Sequence, residues 1–111
     1  MLPYVTSGYP YFGVIEMKEK TITNQILKYL KSQPECFAFK EHGSIYGTSG
    51  IPDIIVCYKG KFVAFEVKTE NGKLSKLQEV TIRKIQSARG LAFKVTSLDE
   101  VKTILKEVMP T

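Results

Sequence analysis

Apolar residues recur at helical spacing in three segments of this chain. The first segment spans residues 18–32 and ends before a proline, which cannot continue a helix. The second follows the turn signal Asn71-Gly72 and ends at Gly90, a typical C-terminal cap. The third begins at a capping-box pattern in residues 97–100. The residues that recur at helical spacing, each set tracing one face of its helix, are Ile22, Ile26, Tyr29 and Leu30; Leu74, Leu77, Thr81, Ile85 and Ala88; and Val101, Ile104, Leu105 and Val108.

Three further segments predict β-strands. Residues 37–40 alternate between aromatic and other side chains, and residues 91–95 are mostly apolar. Residues 54–65 are almost all apolar or aromatic and are interrupted once, at Lys59-Gly60, which predicts a hairpin of two strands. The resulting order is α-β-β-β-α-β-α. It predicts an α/β (α+β) fold in which helices flank a mixed β-sheet.

The hairpin would bring two carboxylates together. If Lys59 and Gly60 are the central residues of a two-residue turn, counting outwards places Asp53 opposite Glu66. Opposed residues have Cβ atoms about 4.5–5.5 Å apart, and two opposed acids repel each other. Lys68 shares the face of Glu66, because side chains alternate along a strand. A divalent cation such as Mg²⁺ would relieve the repulsion between the acids.

Two alternatives stay open at this point. Lysine is a poor residue for a position with positive φ, so a type I turn with a glycine bulge could replace the two-residue turn and shift the register by one. The acids and Lys68 could also form an exposed ion-pair face. We favour the functional interpretation, because the strands that carry these charges are apolar enough to be buried and buried charge is costly without a partner.

Composition narrows the functional classes. The 111 residues carry a net charge of +5, from 14 Lys and 2 Arg against 11 acids, which favours a polyanionic partner. No apolar run approaches the roughly 20 residues of a membrane span, and no secretory signal is evident. Cys36 and Cys57 are far apart in sequence, which fits the reducing cytoplasm. We divide the chain into an N-terminal arm or extension, residues 1–16, and a single domain, residues 17–111.

Three motifs together resemble a known family. Gly50-Ile51-Pro52-Asp53, then Phe65-Glu66-Val67-Lys68, then Leu74-Ser75-Lys76-Leu77-Gln78 resemble the VRR-NUC domain of the PD-(D/E)xK nuclease superfamily. This small module occurs alone in phages and fused to larger repair nucleases, and its core is similar to that of archaeal Holliday-junction resolvases. The resemblance implies a restriction-endonuclease-like fold and a metal-dependent DNA endonuclease. It further implies a homodimer acting on branched DNA, in the cytoplasm of a bacterium or phage-infected host.

The resemblance also implies roles for individual residues. Asp53 and Glu66 would ligate Mg²⁺ or Mn²⁺ together with the backbone carbonyl of Val67. Lys68 would position or help to deprotonate the attacking water and offset charge in the transition state. Gln78 occupies the place of an active-site glutamine in the family.

Two positions leave alternatives open. The family has a glutamate on its first helix, for which Glu19 fits best and Glu16 is the second choice. Where the family often has an arginine, before the loop that leads to Pro52, this chain has Lys40, which cannot grip phosphate with a planar fork.

The basic residues around the second helix have two interpretations of about equal weight. They could follow a phosphate backbone, or they could form an ordinary solvated face. These residues are Lys73, Lys76, Arg83 and Lys84. Rival functions are a nuclease for flap or linear duplex DNA and a non-catalytic module that binds nucleic acid.

Overall fold

The predicted order of elements is confirmed. The computed structural model describes residues 9–42 and 50–108, with side-chain surroundings for residues 18–42 and 50–108. Its elements are α1 (Tyr9–Lys31), β1 (Cys36–Lys40), β2 (Ile54–Tyr58), β3 (Lys61–Val67), α2 (Lys76–Ser87), β4 (Leu91–Val95) and α3 (Leu98–Val108). No helix in the described part of the chain is long and apolar enough to cross a membrane.

The four strands form one mixed sheet in the order β1-β2-β3-β4. Neighbours β1 and β2, and β2 and β3, pair antiparallel, whereas β3 and β4 pair parallel. A parallel pair needs a crossover connection, and α2 provides it. Among residues 9–42 and 50–108, the strands β1 and β4 are the two edges of the sheet.

Helices cover the two faces of the sheet unequally. A large core joins one face to α1 and α3, with Ile26, Phe65 and Val101 fully buried in it. On the other face, a smaller cluster packs Ile82 of α2 against two alanines, one on β3 and one on β4. The alanines let α2 approach the sheet closely, over β3 and β4.

The hairpin turn keeps the predicted register. Lys59 has φ 50° and Gly60 has φ 86°, so both central residues adopt the left-handed conformation of a type I′ turn. Tyr58 pairs with Lys61, and the pairing continues without a bulge to the far end of β2. The alternative with a register shift is therefore wrong. The twist of a type I′ turn matches the twist of the strands that it joins. The ammonium of Lys59 also lies 5.4 Å from the centre of the Tyr58 ring.

The first helix is longer than predicted. It begins at Tyr9, so the second half of the segment that we expected to be an irregular arm is helical. Pro10 is tolerated because it lies in the first turn, where its missing N–H has no helical partner, and Gly13 only weakens a helix. Residues 1–8 lie outside the described residues. The division between an arm and a domain at Met17 stays a prediction.

The end of α2 differs from the expected glycine cap. The left-handed residue is Arg89, with φ 72°, and not Gly90. The N–H groups of Arg89 and Gly90 donate to the carbonyls of Gln86 and Ile85, at 2.9 Å each, as in a Schellman motif. Gly90 is required for space, because a Cβ there would lie 2.8 Å from Cγ2 of Ile85 and 3.1 Å from the Phe62 ring.

Candidate active site

Asp53 and Glu66 lie side by side where β2 begins and β3 ends. Ile54 pairs with Phe65, so the next residue outwards on each strand is an acid. Oδ2 of Asp53 accepts the N–H of Val67 at 2.8 Å, and the Asp53 carbonyl accepts the N–H of Glu41 at 2.8 Å. These two bonds fix Asp53 at the point where β1, β2 and β3 meet.

Glu66 is a buried acid whose carboxylate is only partly satisfied. It is 3% exposed, and its Oε2 accepts a hydrogen bond from Nε2 of Gln78 at 2.9 Å. The Lys68 ammonium lies 3.8 Å from the same oxygen. The other oxygen, Oε1, is buried and has no hydrogen-bond partner among the described residues. Such a group is costly unless something else binds it.

Burial is the main cause of a large pKa shift at Glu66. Loss of solvent, followed by the neighbouring Asp53 carboxylate, raises the pKa of Glu66 to about 8, while Lys68 acts in the opposite direction. Without a cation, Glu66 therefore carries a proton at neutral pH. A cation that binds here must displace that proton.

Gln78 links the start of α2 to Glu66. Oγ of Ser75 accepts the Gln78 N–H at 3.1 Å, and Oε1 of Gln78 accepts the Ser75 N–H at 2.8 Å, which completes a capping box. The amide nitrogen of the same side chain donates to Glu66. Glutamate could cap the helix equally well but could not donate to Glu66, so both roles together require glutamine.

Gly50 sets the distance between the loop before β2 and α2. It has φ 82°, and a Cβ there would lie 2.7 Å from the Leu77 carbonyl oxygen and 2.9 Å from Oγ1 of Thr81. Only glycine permits this approach of backbone to backbone. The contact brings the Pro52-Asp53 pair beside the turn of α2 that carries Gln78.

Lys94 is a neighbour of the acids that sequence reasoning missed. It pairs with Glu66 across the parallel strands β3 and β4, so the two side chains share a face of the sheet. Its ammonium donates to the Gly72 carbonyl at 3.1 Å and ties down the loop between β3 and α2. The alternation of side chains along β4 indicates which face of the sheet Lys94 occupies. Its register against Glu66 could not be read, because the crossover helix separates the two strands.

The predicted helix-1 acid is not gathered into this cluster. Glu19 lies half-buried on α1, and its backbone carbonyl accepts the Thr23 hydroxyl at 2.8 Å. Among the side chains described, no three from His, Cys, Asp and Glu form a group that could hold a metal. The side chain of Glu16 lies outside the described residues. A catalytic role for Glu19 stays a prediction.

The predicted phosphate-binding residues lie on β1, in the loop before α2 and on α2 itself. Lys40 ends β1 opposite Ile54 and is half-buried. The other four are exposed, in the loop before α2 or on α2 itself: Lys73, Lys76, Arg83 and Lys84. Their positions allow contact with a large ligand, and their roles stay predictions.

The donors at this site fit a hard divalent cation. Asp53 and Glu66 supply carboxylate oxygens, and one of these is Oε1 of Glu66, which no described residue hydrogen-bonds. The Val67 carbonyl follows directly in the chain. Mg²⁺ is commonly held by one or two carboxylates, with water and substrate phosphate completing its shell. Two carboxylates and a carbonyl therefore suffice without a third acid.

Comparison with solved structures identifies the fold. A structure described as "VRR_NUC domain" superposes with a TM-score of 0.70 at 23% sequence identity, covering 83% of this chain and 98% of the other. A second, described as "VRR_NUC domain protein", gives a TM-score of 0.64 at 16% identity and covers 79% and 84%. No protein-family model matches the sequence. No curated protein matches it either.

Proposed function

We propose that this chain, which has the VRR-NUC fold, is a divalent-metal-dependent DNA endonuclease that hydrolyses phosphodiester bonds. The observation that carries the proposal is the buried Glu66, whose Oε1 has no partner among the described residues although an ammonium and a second carboxylate adjoin it. A folded protein has no structural use for this arrangement, since an apolar residue would avoid the cost of burial. A bound cation explains it.

The residues divide the chemistry among them. Asp53, Glu66 and the Val67 carbonyl would hold Mg²⁺ or Mn²⁺, which supplies a Lewis acid for charge that develops on phosphate. Lys68 positions the attacking water, helps to remove its proton and offsets charge in the transition state. Gln78 keeps Glu66 in one orientation, since its own side chain is fixed by the cap of α2. We expect products with 5′-phosphate and 3′-hydroxyl ends.

Charge and surface favour DNA as the substrate. The chain carries a net charge of +5, and basic residues are exposed in and around α2, close to the helix turn that contacts Glu66. Contacts between such residues and phosphates release counterions, so binding should weaken as salt rises. We propose branched DNA, such as a four-way junction, as the preferred substrate, and a homodimer with two active sites as the acting species. A cytoplasmic location, in a bacterium or phage-infected host, goes with this proposal.

The test compares labelled DNA of three shapes with the same sequence arms. A four-way junction, a flap and a linear duplex are incubated with Mg²⁺, with Mn²⁺ or with chelator. Metal-dependent paired cuts confined to the junction support the whole proposal. Cuts in all three substrates support the nuclease but not the selectivity for junctions. Binding without cutting would replace the nuclease by a non-catalytic module.

Two variants and a control tie any cleavage to the site. Asp53→Ala and Lys68→Ala should each remove cleavage. Lys106→Ala changes an exposed residue of α3 and should leave cleavage intact. Cleavage that survives in both site variants would refute the assignment of the site.

A further inference from the structure

A turn just after β3 packs on the stem of Lys68. The N–H of Gly72 donates to the Thr69 carbonyl at 2.8 Å, which closes the turn. A Cβ on Gly72 would lie 3.1 Å from Cβ of Lys68, which is tighter than ordinary van der Waals contact. The backbone of Gly72 therefore lies against the root of the Lys68 side chain. We call residues 69–72 the Lys68 turn.

Lys94 holds the Lys68 turn from the neighbouring strand. Its ammonium donates to the Gly72 carbonyl at 3.1 Å. The turn thus has one bond within itself and one to β4, which is fixed in the sheet by its pairing with β3. The bond from Lys94 is exposed to solvent and modest in strength, although its charged donor makes it stronger than a neutral bond. Its position opposes any movement of the turn away from Lys68.

Lys94 does not form an ion pair with the acid beside it. It lies opposite Glu66 in the parallel register, on the same face of the sheet, where opposite charges attract each other. Among the described residues, however, the ion pair of Glu66 is with Lys68, whose ammonium lies 3.8 Å from Oε2. The Gly72 carbonyl binds the Lys94 ammonium instead. The two lysines therefore differ in position, since Lys68 adjoins the acid and Lys94 adjoins the turn.

The polar contacts of Lys68 do not fix its ammonium. The distance of 3.8 Å to Oε2 of Glu66 is too long for a hydrogen bond. The backbone N–H of Lys68 donates to the Val95 carbonyl at 2.9 Å, which fixes the root of the side chain but not its flexible four-carbon stem. The side chain is nevertheless only 17% exposed. Packing against the stem must therefore decide where the ammonium lies, and the Lys68 turn is part of that packing.

We propose that Lys94 is a positioning residue for phosphodiester cleavage. By holding the Gly72 carbonyl, it keeps the Lys68 turn against the stem of Lys68 and so directs the Lys68 ammonium towards Glu66 and the attacking water. This inference rests on the proposed function, in which Lys68 acts on that water. Precise placement matters, because displacement of a reacting group by about 1 Å can lower a rate about 100-fold.

NMR of the full chain with ¹³C-labelled lysine side chains tests the positioning without cleavage. The Cε signal of Lys68 is identified by its absence from Lys68→Ala. In the wild-type protein its two Hε protons should have separate chemical shifts, because the stem is held in one position. They should merge in Lys94→Met and stay separate in Lys94→Arg, which keeps a charged donor. Lys106→Met makes the same change at an exposed position of α3 and should have no effect.

Gly72→Ala disturbs the same contact and removes no charge. Its Cβ would meet Cβ of Lys68 at 3.1 Å and the Thr69 carbonyl oxygen at 3.2 Å, so the turn must shift. We expect the Hε protons of Lys68 to respond as they do in Lys94→Met. A direct contact between Lys94 and DNA gives no reason for this response, since Lys94 is intact in Gly72→Ala.

Single-turnover cleavage of the four-way junction in Mg²⁺ measures the effect on the reaction. Lys94→Met should lower the maximal rate about 10- to 100-fold, and Lys94→Arg should restore most of it. The Kd for DNA and its dependence on salt should not change. A phosphate contact by Lys94 would instead weaken binding and reduce the salt dependence.

Circular dichroism and the melting temperature show whether each variant is folded. Because Lys94 is exposed, Lys94→Met should fold even if Gly72→Ala does not. Unchanged Lys68 signals in folded Lys94→Met overturn the proposal, whether or not DNA binding weakens. Merged signals with an unchanged cleavage rate overturn it as well. If the wild-type protein cuts no DNA but Lys94→Met merges the signals, the hold of Lys94 on Lys68 is supported and the nuclease is refuted.

Discussion

Replacing Glu66 by glutamine should stabilise the metal-free protein and make its stability less dependent on pH. The raised pKa of Glu66 means that the folded protein holds this proton more tightly than the unfolded chain does. The resulting stabilisation is complete below the ordinary pKa of 4.5 and is lost as the pH rises through about 8. The two pKa values differ by about 3.5, which corresponds to about 5 kcal/mol because one pKa unit is worth 1.36 kcal/mol.

Most of this stabilisation by the Glu66 proton is already lost at neutral pH. At pH 7 the unfolded chain has released the proton and the folded protein has not, so the wild-type protein should have lost about 3 kcal/mol relative to acid. Glutamine keeps the shape of Glu66 and can still accept the bond from Gln78. Glu66→Gln should therefore match the wild-type protein near pH 4.5 and exceed its free energy of unfolding by about 3 kcal/mol at pH 7.

Urea denaturation in chelator, from pH 4.5 to pH 9, measures the difference. Glu107→Gln, an exposed acid on α3, is the matched control and should follow the wild-type curve. Equal stability of Glu66→Gln and the wild-type protein across this range would refute the reasoning, since it would mean that Glu66 ionises in the folded protein as easily as in water.

Binding of Mg²⁺ to the wild-type protein should displace the proton from Glu66. With a pKa of about 8, some nine-tenths of Glu66 is protonated at pH 7, so one bound cation should release about 0.9 proton. Calorimetry in two buffers with different ionisation enthalpies counts the protons. Heats of binding that do not depend on the buffer would contradict this prediction.

Four further substitutions test the turns and loops that connect the strands and α2. Gly50→Ala should lower the free energy of unfolding by about 2–5 kcal/mol, because the strain of a positive φ and a clash with the Leu77 carbonyl add together. Gly60→Ala, also at positive φ but in open space, should lower it by only about 1–2 kcal/mol. Equal losses of stability in urea denaturation would argue against the clash. Arg89→Gly should raise stability by about 0.5–1 kcal/mol, and an unchanged melting temperature would contradict a strained cap. Lys94→Met should speed amide hydrogen exchange in residues 69–75, and unchanged exchange there would show that its bond to Gly72 does not hold the loop.

Local pattern was enough to predict the elements and the hairpin register. Alternation and helical spacing depend on neighbours in sequence, so the order of helices and strands was readable, and so was the opposition of Asp53 and Glu66 across a two-residue turn. The same reasoning failed at Arg89, because it assigned the left-handed position to the nearest glycine. In the structure Gly90 is instead needed for its lack of a side chain against Ile85 and Phe62.

The sequence by itself determined which residue types meet at the end of the hairpin, since a short turn fixes the register of the strands that it joins. Only the tertiary structure decided how those residues are held. The bond from Gln78 to Glu66, the contact of Gly50 with α2 and the pairing of Lys94 with Glu66 all join segments separated by a loop or a helix. No local pattern specifies such distances. They follow from how closely α2 packs on the sheet, which the small side chains of Ala64 and Ala92 permit.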